Sequence, residues 1–273
     1  MLQHFTYLAP RTRAELHGVL ANEGAAASLL AGGTDLLVNV RAGLAHPKVV
    51  VDTKKVEGLA GVDWSERDGL VIRASATINA LLADAKTRTN YPLLVACARD
   101  LASHQIRNRA TVIGNVVNAS PCADMAPALL CLRAHAVISS KRGEREIPFS
   151  AFFKGVKRTA VAPDEVVECV VVPAASAGAR GGYYKLKRIN GHDLGIVGVA
   201  LCIDRSGEMR LTIGSCAPTP VLIDGLDGSL TADAVVAKVL AAISPISDVR
   251  ATREYRSHMV EYYVRRLLDE VRS

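Results

Sequence analysis

A chain of 273 residues with 49% hydrophobic content can bury a sizeable core, and its length favours two domains over one. Lysine plus arginine exceeds aspartate plus glutamate by 33 − 27 = 6, a balance suited to an anionic ligand, while 4% aromatic content and basic runs no longer than pairs exclude a nucleic-acid platform. No apolar run reaches the roughly 20 residues of a membrane helix, and Met1 to Pro10 lacks the charged start and apolar stretch of a signal peptide, so a cytoplasmic chain is expected.

Phe5 to Leu8 reads as a short strand, and Thr12-Arg13-Ala14-Glu15 is a capping box that opens a helix closing near Gly24. Ala26 to Ala31 then reads as a buried strand, Gly32-Gly33 as a tight turn, Thr34 to Arg41 as a short helix and Lys48 to Thr53 as another strand. A second block, from about Leu59 to Pro173, predicts strands at Leu70 to Ala74, Ala136 to Ser140 and Glu165 to Val172. Its helices are predicted to start at Thr77 and to run over Tyr91 to Ser103 and Asp124 to Leu132. AASAGARGG, 174 to 182, is small and flexible enough to be a connection. Strands follow at Tyr183 to Arg188, Gly195 to Asp204 and Glu208 to Ser215, the last two as a hairpin. The C-terminal end is a helix whose stripe of Tyr255, Met259, Tyr263, Leu267 and Val271 reads as core. The six cysteines are dispersed, without C-x-x-C spacing, and read as free thiols that do not form an iron-sulfur cluster in this chain.

The chemistry concentrates in two glycine-containing stretches. A strand passing through Gly32-Gly33 into a helix start leaves backbone N–H groups free for an anion, and Thr34 adds a hydroxyl. A nicotinamide-dinucleotide fold is suggested by Asp52, which ends a strand twenty residues after Gly32. The G-x-G-x-x-G fingerprint fails, however, and Asp52 is read as a solvated strand end. TVIGNVVNASPCAD, 111 to 124, carries one charge over fourteen residues and reads as a second turn-rich surface of hydroxyl and amide donors. Two such surfaces would hold a diphosphate between them. Asp124 would then accept from ribose hydroxyls or, alternatively, cap the following helix, and Arg107 or Arg109 would balance the phosphates.

AGGTDLL at 31 to 37, TVIGNVVNASPCAD at 111 to 124 and FFKGVKRTAVAPDEVV at 152 to 167 together resemble the FAD-binding medium subunit of molybdenum hydroxylases. YYKLKRINGHDLGIVGVA from 183 and CAPTP at 216 to 220 extend the likeness over nearly the whole chain. That family includes the carbon monoxide dehydrogenase medium subunit and the flavin domain of xanthine dehydrogenase. The resemblance implies an α+β fold of the vanillyl-alcohol-oxidase (PCMH) type, with two FAD-holding subdomains at 1–58 and 59–175 and a smaller sheet-and-helix domain at 178–273.

By the same resemblance, Leu30, Ala31, Gly32, Gly33, Thr34, Asp35 and Leu36 would wrap the diphosphate, and Thr111, Gly114, Asn115, Val117, Asn118 and Ser120 would line the other side. Asp124 would hold the adenosine ribose. Ala102, Ile106 and Val161 would pack the flavin, and Lys185 and Asp193 would reach the isoalloxazine, although Lys185 also reads as a surface strand lysine. No residue of the chain would be catalytic and none would bind metal. The organic substrate would be oxidised at a molybdenum cofactor in a large subunit, with two [2Fe-2S] clusters of a small subunit carrying electrons to the FAD and NAD+, oxygen or another acceptor receiving them. One departure is Ile113, where the family usually has a second glycine; a Cβ there is expected to restrict the turn. Two other readings stand beside this one. The first is a free-standing flavoenzyme whose own substrate meets Tyr183, Tyr184 and His192; the second is a nucleotide-binding protein that has lost its flavin.

Overall fold

The computed structural model describes residues 4–189 and 191–272, so Met1 to Gln3 and the Asn190 of the fourth quoted stretch lie outside the described residues. The first unit contains β1 (Thr6–Leu8), α1 (Arg13–Glu23), β2 (Ala27–Leu30), α2 (Leu36–Arg41) and β3 (Val49–Asp52). Thr12 and Glu15 form the capping box reciprocally, and Gly24 at φ 51° ends α1. The strands form a parallel sheet in the order β1-β3-β2. Central β3 is buried throughout, whereas β2 is only half-buried because its outer edge faces a cavity.

The second unit runs through β4 (Val62–Ser65), β5 (Gly69–Arg73), α3 (Ile78–Ala83), α4 (Ala85–Asn90), α5 (Pro92–Asp100), α6 (His104–Arg107), α7 (Val112–Val117) and α8 (Ala126–Cys131). It continues with β6 (His135–Ser140), β7 (Gly143–Pro148), α9 (Phe149–Phe152), β8 (Phe153–Gly155), β9 (Arg158–Thr159) and β10 (Val166–Val172). Five strands pair antiparallel as β4-β5-β10-β6-β7, with β8 and β9 a separate short hairpin.

The third unit is the meander β11 (Arg180–Leu186), β12 (Val197–Ile203), β13 (Glu208–Gly214) and β14 (Val221–Asp227), followed by α10 (Ala232–Ala242) and α11 (Arg253–Arg272). β11 begins at Arg180, so part of the expected flexible connection is strand, held by pairing of Arg180, Gly181 and Gly182 with β12. β12 is buried on both faces and its side chains sort by size. Val197, Val199, Leu201 and Ile203 enter the core beneath α10 and α11, while the small Ala200 and Cys202 enter the core shared with the second unit, where α8 packs on β12 and β13. The expected stripe of α11 holds at Leu267 and Val271, which are buried, and at Met259 and Tyr263, which pack against the core, but not at Tyr255. Arg256, Val260, Val264, Leu267, Leu268 and Val271 face inward, and Tyr255 is 45% exposed. Arg256 is tolerated inside because its guanidinium donates to the Ile196 and Ser215 carbonyls and pairs with Asp248.

Candidate functional site

The loop from β2 to α2 turns at Gly33, whose φ of 75° favours glycine. Gly32 is constrained differently: a Cβ on it would lie 2.2 Å from the Arg109 carbonyl oxygen, so two backbones meet there with no room for a side chain. The backbone N–H groups of Gly32 to Asp35 find no acceptor among the described residues, and Asp35 does not cap α2 with its side chain. They remain available to an external anion.

The second stretch is turn after Val117, as expected around Ala119, but not at Gly114-Asn115. The Thr111 hydroxyl accepts the Gly114 N–H at 2.9 Å, acting as the N-cap of α7, so Gly114 and Asn115 lie in a helix and Ile113 is a buried helical residue without the expected restriction. Asn115 accepts from Met125 N–H at 3.0 Å. Asn118 ties the site together, donating to Asp35 Oδ1 at 3.0 Å and accepting from Lys157 Nζ at 2.7 Å. Ala102 (φ 47°) and Ala119 (φ 44°) flank this region in left-handed conformations, a cost that surrounding structure must offset.

Both stretches line one cavity of about 690 Å³. Ala31 to Leu36, Ala102, Ile106, Thr111, Gly114, Asn115, Val117, Asn118, Ser120, Asp124, Val161 and Asp193 contribute to its wall. Leu30 and Lys185 do not. Leu30 turns its carbonyl to Thr53, and Lys185 lies behind the wall, where its side chain is 2% exposed, pairs with Asp124 at 2.7 Å and donates to the Asp100 carbonyl. Lys185 is therefore not a surface lysine. Asp124 is not a helix cap either, since Met125 occupies that position in α8 without side-chain capping. Burial pushes the Asp124 carboxyl above its ordinary range, with the Lys185 ammonium opposing.

Two further assignments are corrected. Arg107 donates to the Arg99 and Leu101 carbonyls and serves the fold rather than an anion. Asp52 is 5% exposed rather than solvated: burial favours its neutral form, but donors from Lys54 and Tyr7 outweigh this and hold it below the usual carboxylate range. The sequence reading missed Thr53, Cys122, Lys157 and Glu165 in the wall and had His192 only as a substrate contact of the rival flavoenzyme. Lys157 and Glu165 stand inside the quoted 152–167 stretch, and Thr53 follows the strand beside β2, so proximity to a recognised element was the available signal.

Glu165 braces the wall around Val161. Arg145 grips its carboxylate at 2.8 and 2.6 Å and also holds the Ala160 carbonyl, while Ala162 N–H donates to the same carboxylate at 2.8 Å. The Arg145 guanidinium keeps the Glu165 carboxyl below the usual range. A depressed folded value stabilises above the unfolded value of about 4.3, and that contribution disappears as pH falls through the folded one. Thermal melts should show the wild type losing stability below about pH 4.3, whereas Glu165→Gln should be less stable at neutral pH and show a shallower acid limb.

A hollow of this volume, edged by unpaired main-chain donors on one side and by hydroxyl and amide side chains on the other, fits a dinucleotide better than a compact metabolite. Comparison with known proteins agrees. Residues 3–175 match the family model for the FAD binding domain in molybdopterin dehydrogenase, and residues 182–271 match that for the CO dehydrogenase flavoprotein C-terminal domain. The carbon monoxide dehydrogenase medium chain of Hydrogenophaga pseudoflava is 31% identical over 97% of this chain and 96% of its own. The xanthine dehydrogenase FAD-binding subunit of Escherichia coli O157:H7 is 29% identical over 99% and 97%. A solved structure of carbon monoxide dehydrogenase from Hydrogenophaga pseudoflava superposes with a TM-score of 0.92 at 29% identity, covering 99% of this chain and 98% of that one.

Proposed function

The chain belongs to the family of FAD-binding medium subunits of molybdenum hydroxylases, and from that premise we propose that it relays electrons within such a complex, from [2Fe-2S] clusters of a small subunit to NAD+ or another acceptor. FAD is its cofactor. When bound, FAD supplies the redox chemistry, exchanging electrons singly with clusters or as hydride with a nicotinamide. The chain's own task is to hold and orient it. The N–H groups of Gly32 to Asp35 receive the diphosphate, Thr111 to Ser120 close the opposite side, and Asp124 accepts from ribose hydroxyls. Ala102, Ile106, Val161 and Asp193 bound the flavin end. The units 1–58, 59–175 and 178–273 are two halves of the cofactor cradle and a domain that backs it. A large molybdenum-cofactor subunit oxidises the organic substrate. The free thiols, all without disulfide partners, suit the reducing cytoplasm.

The observation that carries this reading is the 3.0 Å hydrogen bond from Asn118 to Asp35, which joins the two stretches in the wall of one cavity. The rival flavoenzyme has less support. Tyr184 stacks on Tyr263 and bonds Glu270, and neither it nor Tyr183 reaches the cavity wall, leaving His192 as the only one of the three that does. Affinity purification of the tagged chain from its native source, with mass spectrometry and visible spectra, tests the proposal. The expected result is a yellow chain with a large and a small partner, and anaerobic addition of substrate to that complex should bleach the flavin band. A solitary flavoprotein that reduces a small molecule unaided would refute the subunit role.

A further inference from the structure

A bracket of side chains holds the glycine loop from behind. The Asp52 carboxylate at the end of β3 accepts from Tyr7 Oη at 2.6 Å, from the Lys54 backbone N–H at 2.9 Å and pairs with Lys54 Nζ at 2.7 Å. Lys54 Nζ donates in turn to the Ala31 carbonyl at 3.1 Å. One residue earlier, the Thr53 N–H and hydroxyl both donate to the Leu30 carbonyl, at 3.1 and 3.4 Å. Two successive carbonyls, the last of β2 and the first of the loop, are thus drawn to the β3 side.

A planar trans peptide directs its N–H opposite to its C=O. With the Ala31 carbonyl turned toward Lys54, the Gly32 N–H points the other way, and Gly32 borders the cavity. The ammonium also draws electron density from that carbonyl, which strengthens the N–H of the same peptide as a donor. Asp52 and Tyr7 fix the lysine so that it spends its rotamer freedom on folding rather than on ligand binding. We propose that Lys54, held by Asp52 and Tyr7, is a positioning residue that presents the Gly32 N–H to the cofactor diphosphate, an inference that rests on the placement of FAD given above.

The test uses the full chain freed of flavin and titrated with FAD, with the Gly32 amide proton resonance followed alongside. Lys54→Met is expected to raise the FAD Kd roughly tenfold, the scale of one charge-assisted hydrogen bond, and to shrink the downfield shift of the Gly32 amide on FAD addition. Lys54→Arg should restore most of both. Tyr7→Phe, at a half-exposed position, should cost about threefold by loosening Asp52, and it provides a second reading should Lys54→Met fold poorly. Wild-type Kd and shift in both Lys54→Met and Tyr7→Phe would overturn the proposal. So would a wild-type protein that takes up FAD without moving the Gly32 amide. A wild-type chain that takes up no FAD would instead refute the cofactor placement itself, a result distinguishable from either.

Discussion

Gly32→Val should yield a colourless protein: FAD affinity falls by at least two orders of magnitude, and the chain loses about 3 kcal/mol of stability through forced overpacking. The cause is not that valine shields N–H groups from the diphosphate. Its Cβ would meet Arg109 O at 2.2 Å, Arg109 C at 2.7 Å and Ala110 Cα at 2.9 Å, all main-chain atoms that cannot rotate away. Relief requires the loop after β2 to separate from the segment before Thr111, and these are the two walls of the cavity. Asn118 and Asp35 would then lose their hydrogen bond as well. Gly33→Ala makes the useful contrast. It strains a φ of 75° but meets side-chain atoms of Leu30 and Leu37, which can yield, so it should weaken FAD binding by about tenfold or less. Visible absorbance after FAD addition and gel filtration, with urea unfolding of the flavin-free chains, measures both effects. Equal flavin retention by Gly32→Val and wild type would show that the two walls do not depend on this contact.

What could be read from the sequence follows from how local each cause is. The Thr12 and Glu15 capping box and the alternation around Gly32 arise within a few residues, and the predicted elements there lie close to the observed ones. One edge strand was invisible for a physical reason. β7 reads Gly-Glu-Arg-Glu-Ile-Pro and is almost wholly exposed, because charge on an edge discourages pairing with other chains and erases the apolar alternation that marks a strand. α7 was hidden because Gly114 and Asn115 have poor helix propensity, and its start depends on one Thr111 hydroxyl. The first turn of α11 was misread because a buried Arg256 stands in an apolar stripe, and its acceptors, Ile196 and Ser215, are 60 and 41 residues away. Asp52 and Lys185 failed for the same reason: whether a charge is solvated or paired is decided by neighbours that folding supplies.

The Lys185 and Asp124 pair makes the second large prediction, because removing the lysine leaves a carboxylate that is nine-tenths buried at the cavity wall without its counter-ion. Lys185→Met should destabilise the flavin-free chain by about 3–5 kcal/mol, far more than loss of an exposed ion pair. The pH dependence identifies the cause. Burial already raises the Asp124 carboxyl, and without the Lys185 ammonium it rises further. A carboxyl whose folded value lies above its unfolded one favours the folded state below the unfolded value and loses that advantage as pH rises through the folded one, so the deficit of Lys185→Met should shrink on acidification. Lys185→Met combined with Asp124→Asn should recover much of the stability, giving a coupling energy that neither single variant shows. FAD affinity should not recover with it, since the carboxylate proposed to hold the ribose is gone. Urea unfolding at neutral and mildly acidic pH, together with FAD titration of all three variants, separates these effects. A double variant that regained both stability and full FAD affinity would remove Asp124 from the ribose and leave it only a partner for the buried lysine.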